Sequence, residues 1–211
     1  MVATSNSGPF GGAKAPLPPS GMTAMFLPHW AYVNTVAGLT STTTRLYYIP
    51  YYFPVAGLSY TGLKCHNSGA GDNADTLRLG VYQASATTGL PSTLVIDAGE
   101  ITLSGAAAVR TLASAWTAPY EGWGFLALHC NQAAEFYAFT NVSASSTAVG
   151  VIFPAPSIQL FGAPSTTFAI SNTATNFGAY YVDTAYGALA ASAVAPTAIL
   201  TTCPAVAPYR T

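Results

Sequence analysis

The sequence predicts an all-β protein, an antiparallel sandwich or barrel, and three observations carry that reading. Short runs rich in Val, Ile, Tyr, Trp and Thr recur along the chain. Gly/Pro turns separate them at intervals of about 8–12 residues, the spacing of antiparallel all-β domains. At 211 residues with 51% hydrophobic content, the chain suits a single core, or one domain plus an arm.

Residues 1–28 stand apart from the rest. Gly8-Pro9-Phe10-Gly11-Gly12 and Pro16-Leu17-Pro18-Pro19-Ser20-Gly21 give a Pro/Gly-rich stretch with no usable period. Proline fixes φ and removes a donor, so extended geometry is expected there rather than helix. Phe10, Leu17, Met22, Met25, Phe26 and Trp30 are interleaved as apolar anchors, which a purely solvated tail would not carry. The expectation is an extended N-terminal arm, residues 1–28, that lies on a neighbouring subunit, followed by a β-sandwich domain, residues 29–211.

Strand signals follow in order. Arg45 to Pro54 packs four tyrosines into ten residues, and Pro50 marks an edge position or a bulge. Leu58 to Cys65 is the next strand, and the Gly/Asn/Asp-rich segment 67–75 a plain loop. Leu77 to Tyr82, Leu94 to Ile101, Val109 to Trp116 and the almost wholly apolar Trp123 to Cys130 form the central run. Glu135 to Asn141, Ala148 to Phe153, Phe168 to Ser171 and Ala179 to Val182 complete the strands. Ala185 to Ala195 reads as a short helix on its Ala content alone.

Charge is the oddity of the composition. Six Lys+Arg and seven Asp+Glu make 6% charged residues and a net charge of −1, against roughly 25% charged in an average soluble domain. So neutral a surface protects poorly against association, and its simplest use is to be covered by copies of itself or by neighbours in an assembly. Six scattered cations make no basic stripe, so nucleic acid is not an expected partner. The mean hydropathy of +0.37 is spread evenly. No run approaches the about 20 apolar residues of a membrane helix, and the N-terminus does not read as a secretory leader.

The polar residues offer little chemistry by pattern. Asp97 and Glu100 are close in sequence, but regular strand geometry puts residues three apart on opposite faces. Asp72 and Asp75 read as solvated turn residues. Cys65-His66 and His129-Cys130 combine zinc-ligand types, yet each dipeptide on a strand offers one ligand to a common site, and Cys203 or His29 would have to complete it. The three cysteines read as buried free thiols. No nucleophile elbow, phosphate loop or His-Glu-x-x-His motif is present, and no metal, cofactor or catalytic residue is expected. The tyrosines are the remaining candidates: Tyr47, Tyr51, Tyr120, Tyr180, Tyr181 and Tyr186 are expected to serve a subunit interface or a glycan-binding patch.

Four stretches carry a resemblance. Arg45 to Pro54, Leu77-Arg78-Leu79-Gly80-Val81-Tyr82, Gly89-Leu90-Pro91-Ser92-Thr93-Leu94-Val95-Ile96-Asp97-Ala98-Gly99 and Gly122-Trp123-Gly124-Phe125-Leu126-Ala127-Leu128 stand in the order found in jelly-roll modules of tailed-bacteriophage virion proteins. The chain resembles these modules from about Arg45 to Phe139, with Ser92 at a turn position usually Gly, and Gly124-Phe125 in place of an aromatic pair. The resemblance implies a jelly-roll sandwich and a non-enzymatic virion component made in a bacterial cytoplasm. It further implies a homotrimer that decorates the capsid or belongs to a tail, collar or fibre, with capsid or tail proteins as partners. The alternative, resting on the aromatic residues, is a module that recognises host surface glycan.

Overall fold

The computed structural model describes residues 36–40, 44–69, 75–140, 179–199 and 202–211. Fourteen strands and no helix occur among them, and every strand pairing is antiparallel. The arm residues Phe10, Leu17, Met22, Met25, Phe26 and Trp30, the boundary at residue 28 and the strands expected at 148–153 and 168–171 lie outside the described residues.

Two six-stranded sheets form the body. The first contains β1 (Val36–Thr40), β4 (Gly62–Asn67), β7 (Ala108–Leu112), β10 (Glu135–Thr140), β13 (Thr202–Pro204) and β14 (Val206–Tyr209). The second contains β2 (Arg45–Phe53), β5 (Thr76–Ala84), β6 (Pro91–Thr102), β9 (Gly122–Cys130), β11 (Tyr180–Asp183) and β12 (Ala198–Ile199), in the order β12-β11-β2-β9-β5-β6. A two-stranded ribbon, β3 (Ser59–Tyr60) with β8 (Trp116–Thr117), completes the strands.

The period-two rule builds the core. Tyr47, Ile49, Tyr51 and Phe53 of β2, Leu77, Leu79 and Val81 of β5, and Leu126, Leu128 and Cys130 of β9 share one face. They meet Leu63 and Cys65 of β4, Phe136 of β10 and Val206 of β14. The result is a β-sandwich with an inter-sheet core. At one end Trp116 stacks on Tyr60, with ring centroids 4.3 Å apart, and the Tyr51 and Tyr60 hydroxyls hydrogen-bond at 3.1 Å.

Pro50 sits on an inner strand, between β11 and β9. Yet β11 reaches only as far as Tyr48, so among the described residues Pro50 has β9 alone beside it, a local edge. The C-terminal strands β13 and β14 escape the sequence reading because Pro204 and Pro208 interrupt a bland Ala-rich run. Pairing with β10 and β4 supplies what local propensity does not.

Candidate functional site

The second sheet has a second apolar face, turned away from the inter-sheet core. Register places its residues in rows across the strands. Val182, Leu46, His129, Arg78 and Glu100 form one row; Tyr180, Tyr48, Ala127, Gly80 and Asp97 the next. Pro50, Phe125, Tyr82 and Leu94 form the third, and Tyr52 and Trp123 begin the fourth. An apolar sheet face must be covered. Here residues 184–197 do it, leaving β11, crossing to β6 and returning to pair beside β11 through β12.

This strap is the segment whose Ala content predicts a helix; it is irregular and extended instead. Its carbonyls are taken up by the sheet: Tyr82 donates to Ala190 O at 2.9 Å and Tyr48 to Val194 O at 3.0 Å. Leu94 N donates to Ala191 O, and Ala193 N to Ser92 O. Leu189, buried, plugs the space above Gly80. The small alanines let the backbone approach the sheet, and these tertiary bonds outweigh a helix propensity of a few tenths of a kcal/mol per residue, on the order given by.

Asp97 is the strap's main tie. Its Oδ2 accepts from Arg78 Nη1 at 2.8 Å and from Leu189 N at 3.0 Å, while Oδ1 accepts from Gly99 N at 3.0 Å. Glu100 Oε2 lies 3.5 Å from Arg78 Nη2 and accepts from the Tyr186 hydroxyl at 2.8 Å. The regular-strand expectation that Asp97 and Glu100 lie on opposite faces is therefore overturned. Gly99, at φ +97°, forms a bulge where Leu79 pairs with Gly99 and Gly80 with Asp97, and the extra residue returns Glu100 to Asp97's side. A glycine inside a strand run was the available signal.

His129 lies under the same strap end, its Nε2 3.3 Å from Thr184 O and its ring centroid 5.0 Å from that of Tyr186. Burial pushes its pKa down, opposed by hydrogen bonds to Thr184 and Thr44, and Arg78 lowers it further. Burial likewise pushes the phenols of Tyr82, Tyr180 and Tyr186 up to about 12. With its lone pairs engaged by Arg78 and two backbone amides, Asp97 acts as a clamp between sheet and strap.

The six singled-out tyrosines divide. Tyr47, Tyr51 and Tyr180 are at most 2% exposed, so their rings belong to the chain's own cores and meet neither a glycan nor another subunit. The sequence reading went astray because both faces of β2 are buried, which gives a continuous apolar run instead of an alternating one. Tyr120, Tyr181 and Tyr186 are half-buried. Tyr120 donates to Trp123 O and accepts from Ala84 N, Tyr181 lies under the Arg45 guanidinium at 4.0 Å, and Tyr186 holds Glu100.

Two aromatics that the sequence reading passed over, Tyr52 and Trp123, stand at the fourth-row end of this face. Tyr52 and Trp123, a direct cross-strand pair, are half-buried with ring centroids 5.3 Å apart and planes at 81°. The Tyr52 hydroxyl hydrogen-bonds the exposed Glu121 carboxylate, and burial followed by that charge raises its pKa.

The Cys/His dipeptides separate as strand alternation requires. Cys65 and Cys130 are buried and face the inter-sheet core. Burial pushes the Cys65 thiol up. His66 goes to the outer side of the first sheet, against Tyr137 at 4.4 Å, and His129 to the outer side of the second. No group of three or more His, Cys, Asp or Glu placed to hold a metal occurs among the described residues. His29, Asp72 and the side chain of Cys203 lie outside them.

Fold and site together define an antiparallel β-sandwich with one sheet covered on both faces, the outer one by a strap. Comparison with protein families, with characterised proteins and with solved structures found no match.

Proposed function

We propose that this protein is a non-enzymatic structural component of a tailed-phage virion, a jelly-roll sandwich that assembles with copies of itself, as a homotrimer, and decorates or stabilises the particle. Residues 1–28 are the anchoring arm, with capsid or tail proteins as the partners it engages. The observation that carries this reading is how the chain uses its few charges. Arg45 pairs with Asp183, Arg78 with Asp97 and Glu100, and Lys64 lies over the Tyr209 ring at 4.4 Å. Arg110 donates to Asn67 Oδ1 and to the carbonyls of Leu103, Ser104 and Ala106. Charges spent on tying strands and loops leave an outer surface that is nearly neutral, and such a surface is stable in water when neighbours cover it. Half-buried His66 and Tyr137 with exposed Val109 and Thr111 on the first sheet illustrate it. The order of the four strand-and-turn stretches supports the jelly-roll and the virion setting.

The test is the mass of the purified protein in solution by light scattering, with and without residues 1–28, and the binding of both forms to particles lacking it. A trimer in both forms, with particle binding lost on truncation, is expected. A monomer in both forms, or undiminished particle binding by the truncated chain, overturns the reading.

A further inference from the structure

We propose that the Tyr52–Trp123–Glu121 end of the second sheet is a binding site for a neutral saccharide. This goes beyond a structural role and rests on residues outside the 1–28 segment.

Among the described residues, the strap's ties to the outer face fall on the first three rows and on the β6 edge at Ser92 to Leu94. The ties that lie nearest the fourth row are Val194 O, on Tyr48, and the paired segment of Ser92 to Leu94 with Ala191 to Ala193. The fourth row is left half-open, and it holds two large aromatic rings set nearly perpendicular to each other. Rings so placed offer a face and an edge around one corner. The polarised C–H groups of a pyranose ring are attracted to the negative face of such a π system, while its hydroxyls need hydrogen-bond acceptors close by. Glu121 supplies the acceptor: it is exposed and held beside the rings by its hydrogen bond to Tyr52.

The corner is rigid. Tyr120 packs against Phe53, and its hydroxyl bridges Ala84 N and Trp123 O, tying the turn before β9 to the end of β5. Gly122, between Glu121 and Trp123, has φ +149°, and a Cβ built on it would stand 3.3 Å from the Tyr120 ring, so the turn holds a conformation that suits glycine. The platform is thus preorganised, and binding loses little conformational freedom. The loop beyond Ala84 carries Thr87 and Thr88 as exposed side chains, further hydroxyl partners at the same end.

Charge selects the class of ligand. The cations of the outer face, Arg45 and Arg78, lie in or beside the first row, at the opposite end of the sheet. An anionic sugar would meet the Glu121 carboxylate with no cation of that face beside it among the described residues. A neutral hexose or N-acetylhexosamine unit avoids that repulsion and supplies donors to the carboxylate.

The experiment titrates the full-length protein with maltohexaose, cellohexaose and chitotetraose by calorimetry, alongside the variants Trp123→Ala, Tyr52→Ala and Glu121→Gln. Binding of at least one probe in the millimolar range or tighter is expected. Trp123→Ala should abolish it, and Glu121→Gln should weaken it about tenfold, the scale of a charge-assisted hydrogen bond. Glu121 is exposed, so its variant keeps the test decisive even where Trp123→Ala fails to fold. Lack of binding by all three sugars, or binding unchanged in Glu121→Gln, overturns the proposal. Self-association that disappears in Trp123→Ala, without sugar binding, assigns the corner to a second copy of the chain and overturns it too.

Discussion

The Cδ1 methyl of Leu189 occupies the space that a side chain on Gly80 would need. A Cβ built there collides with that methyl and stands 2.7 Å from Ile96 O. The glycine is therefore required both by the strap that crosses it and by the Ile96 carbonyl of β6. Gly80→Ala should destabilise the fold by about 2–3 kcal/mol, as overpacking does. Combining it with Leu189→Ala should cost less than the sum of the two single changes, because the second removes the methyl and leaves only the Ile96 carbonyl to shift. Urea unfolding of the three variants measures the coupling; strict additivity would show that the two residues do not meet.

Asp97 joins sheet and strap through Arg78 and the Leu189 amide. Asp97→Asn leaves a part-buried guanidinium with a weaker partner, at a cost of about 2 kcal/mol. The loss should be local. Amide exchange should speed up at Leu189 and at Ala193, while β5 and β9 amides keep their protection. Uniform acceleration across the sandwich would contradict a separately docked strap.

Alkaline pH should unfold the protein steeply. Tyr82, Tyr180 and Tyr186 hold their protons to about 12 in the fold against 10.0 in the open chain. Their stabilisation is complete below pH 10 and drains away as pH rises from there through about 12, since the unfolded chain releases protons first. Phenolate absorbance and loss of β-structure should rise together in that window. Phenolate that forms well before the fold is lost would show these hydroxyls to be accessible.

Mild acid acts through His129, whose pKa burial lowers from 6.5. Its contribution is present above the unfolded pKa and is lost as pH falls from about 6.5 through the folded value. His129→Gln should flatten the stability profile in that range, measured by urea midpoint against pH; an unchanged slope would argue against a buried neutral ring.

The Arg45–Asp183 bridge, at 2.7 Å, is by contrast open to solvent on its carboxylate side. The guanidinium holds the Asp183 carboxyl below its ordinary value. Asp183→Asn should nevertheless cost less than about 1 kcal/mol, as exposed ion pairs do. A larger drop in the thermal midpoint would mean that the pair also fixes the departure of the strap from β11.

By itself the sequence determined the central strands and the all-β, antiparallel class of fold. Arg45 to Phe53, Thr76 to Ala84 and Gly122 to Cys130 were legible because burial of a pleated strand demands apolar, β-branched and aromatic side chains at close spacing. Cys65 and His66 were correctly sent to opposite sides by alternation. What only tertiary structure decided was which side of each strand met what. Tyr47, Tyr51 and Tyr180 look like surplus aromatics until the second sheet is seen to be buried on both faces. The strap looks like a helix until tyrosine hydroxyls and the β6 edge claim its backbone. Asp97 and Glu100 look opposed until the Gly99 bulge turns them together. Local sequence sets a residue's preferred geometry to within a few tenths of a kcal/mol, whereas one buried plug or charge-assisted hydrogen bond is worth on the order of 1–3 kcal/mol, so long-range partners have the final word.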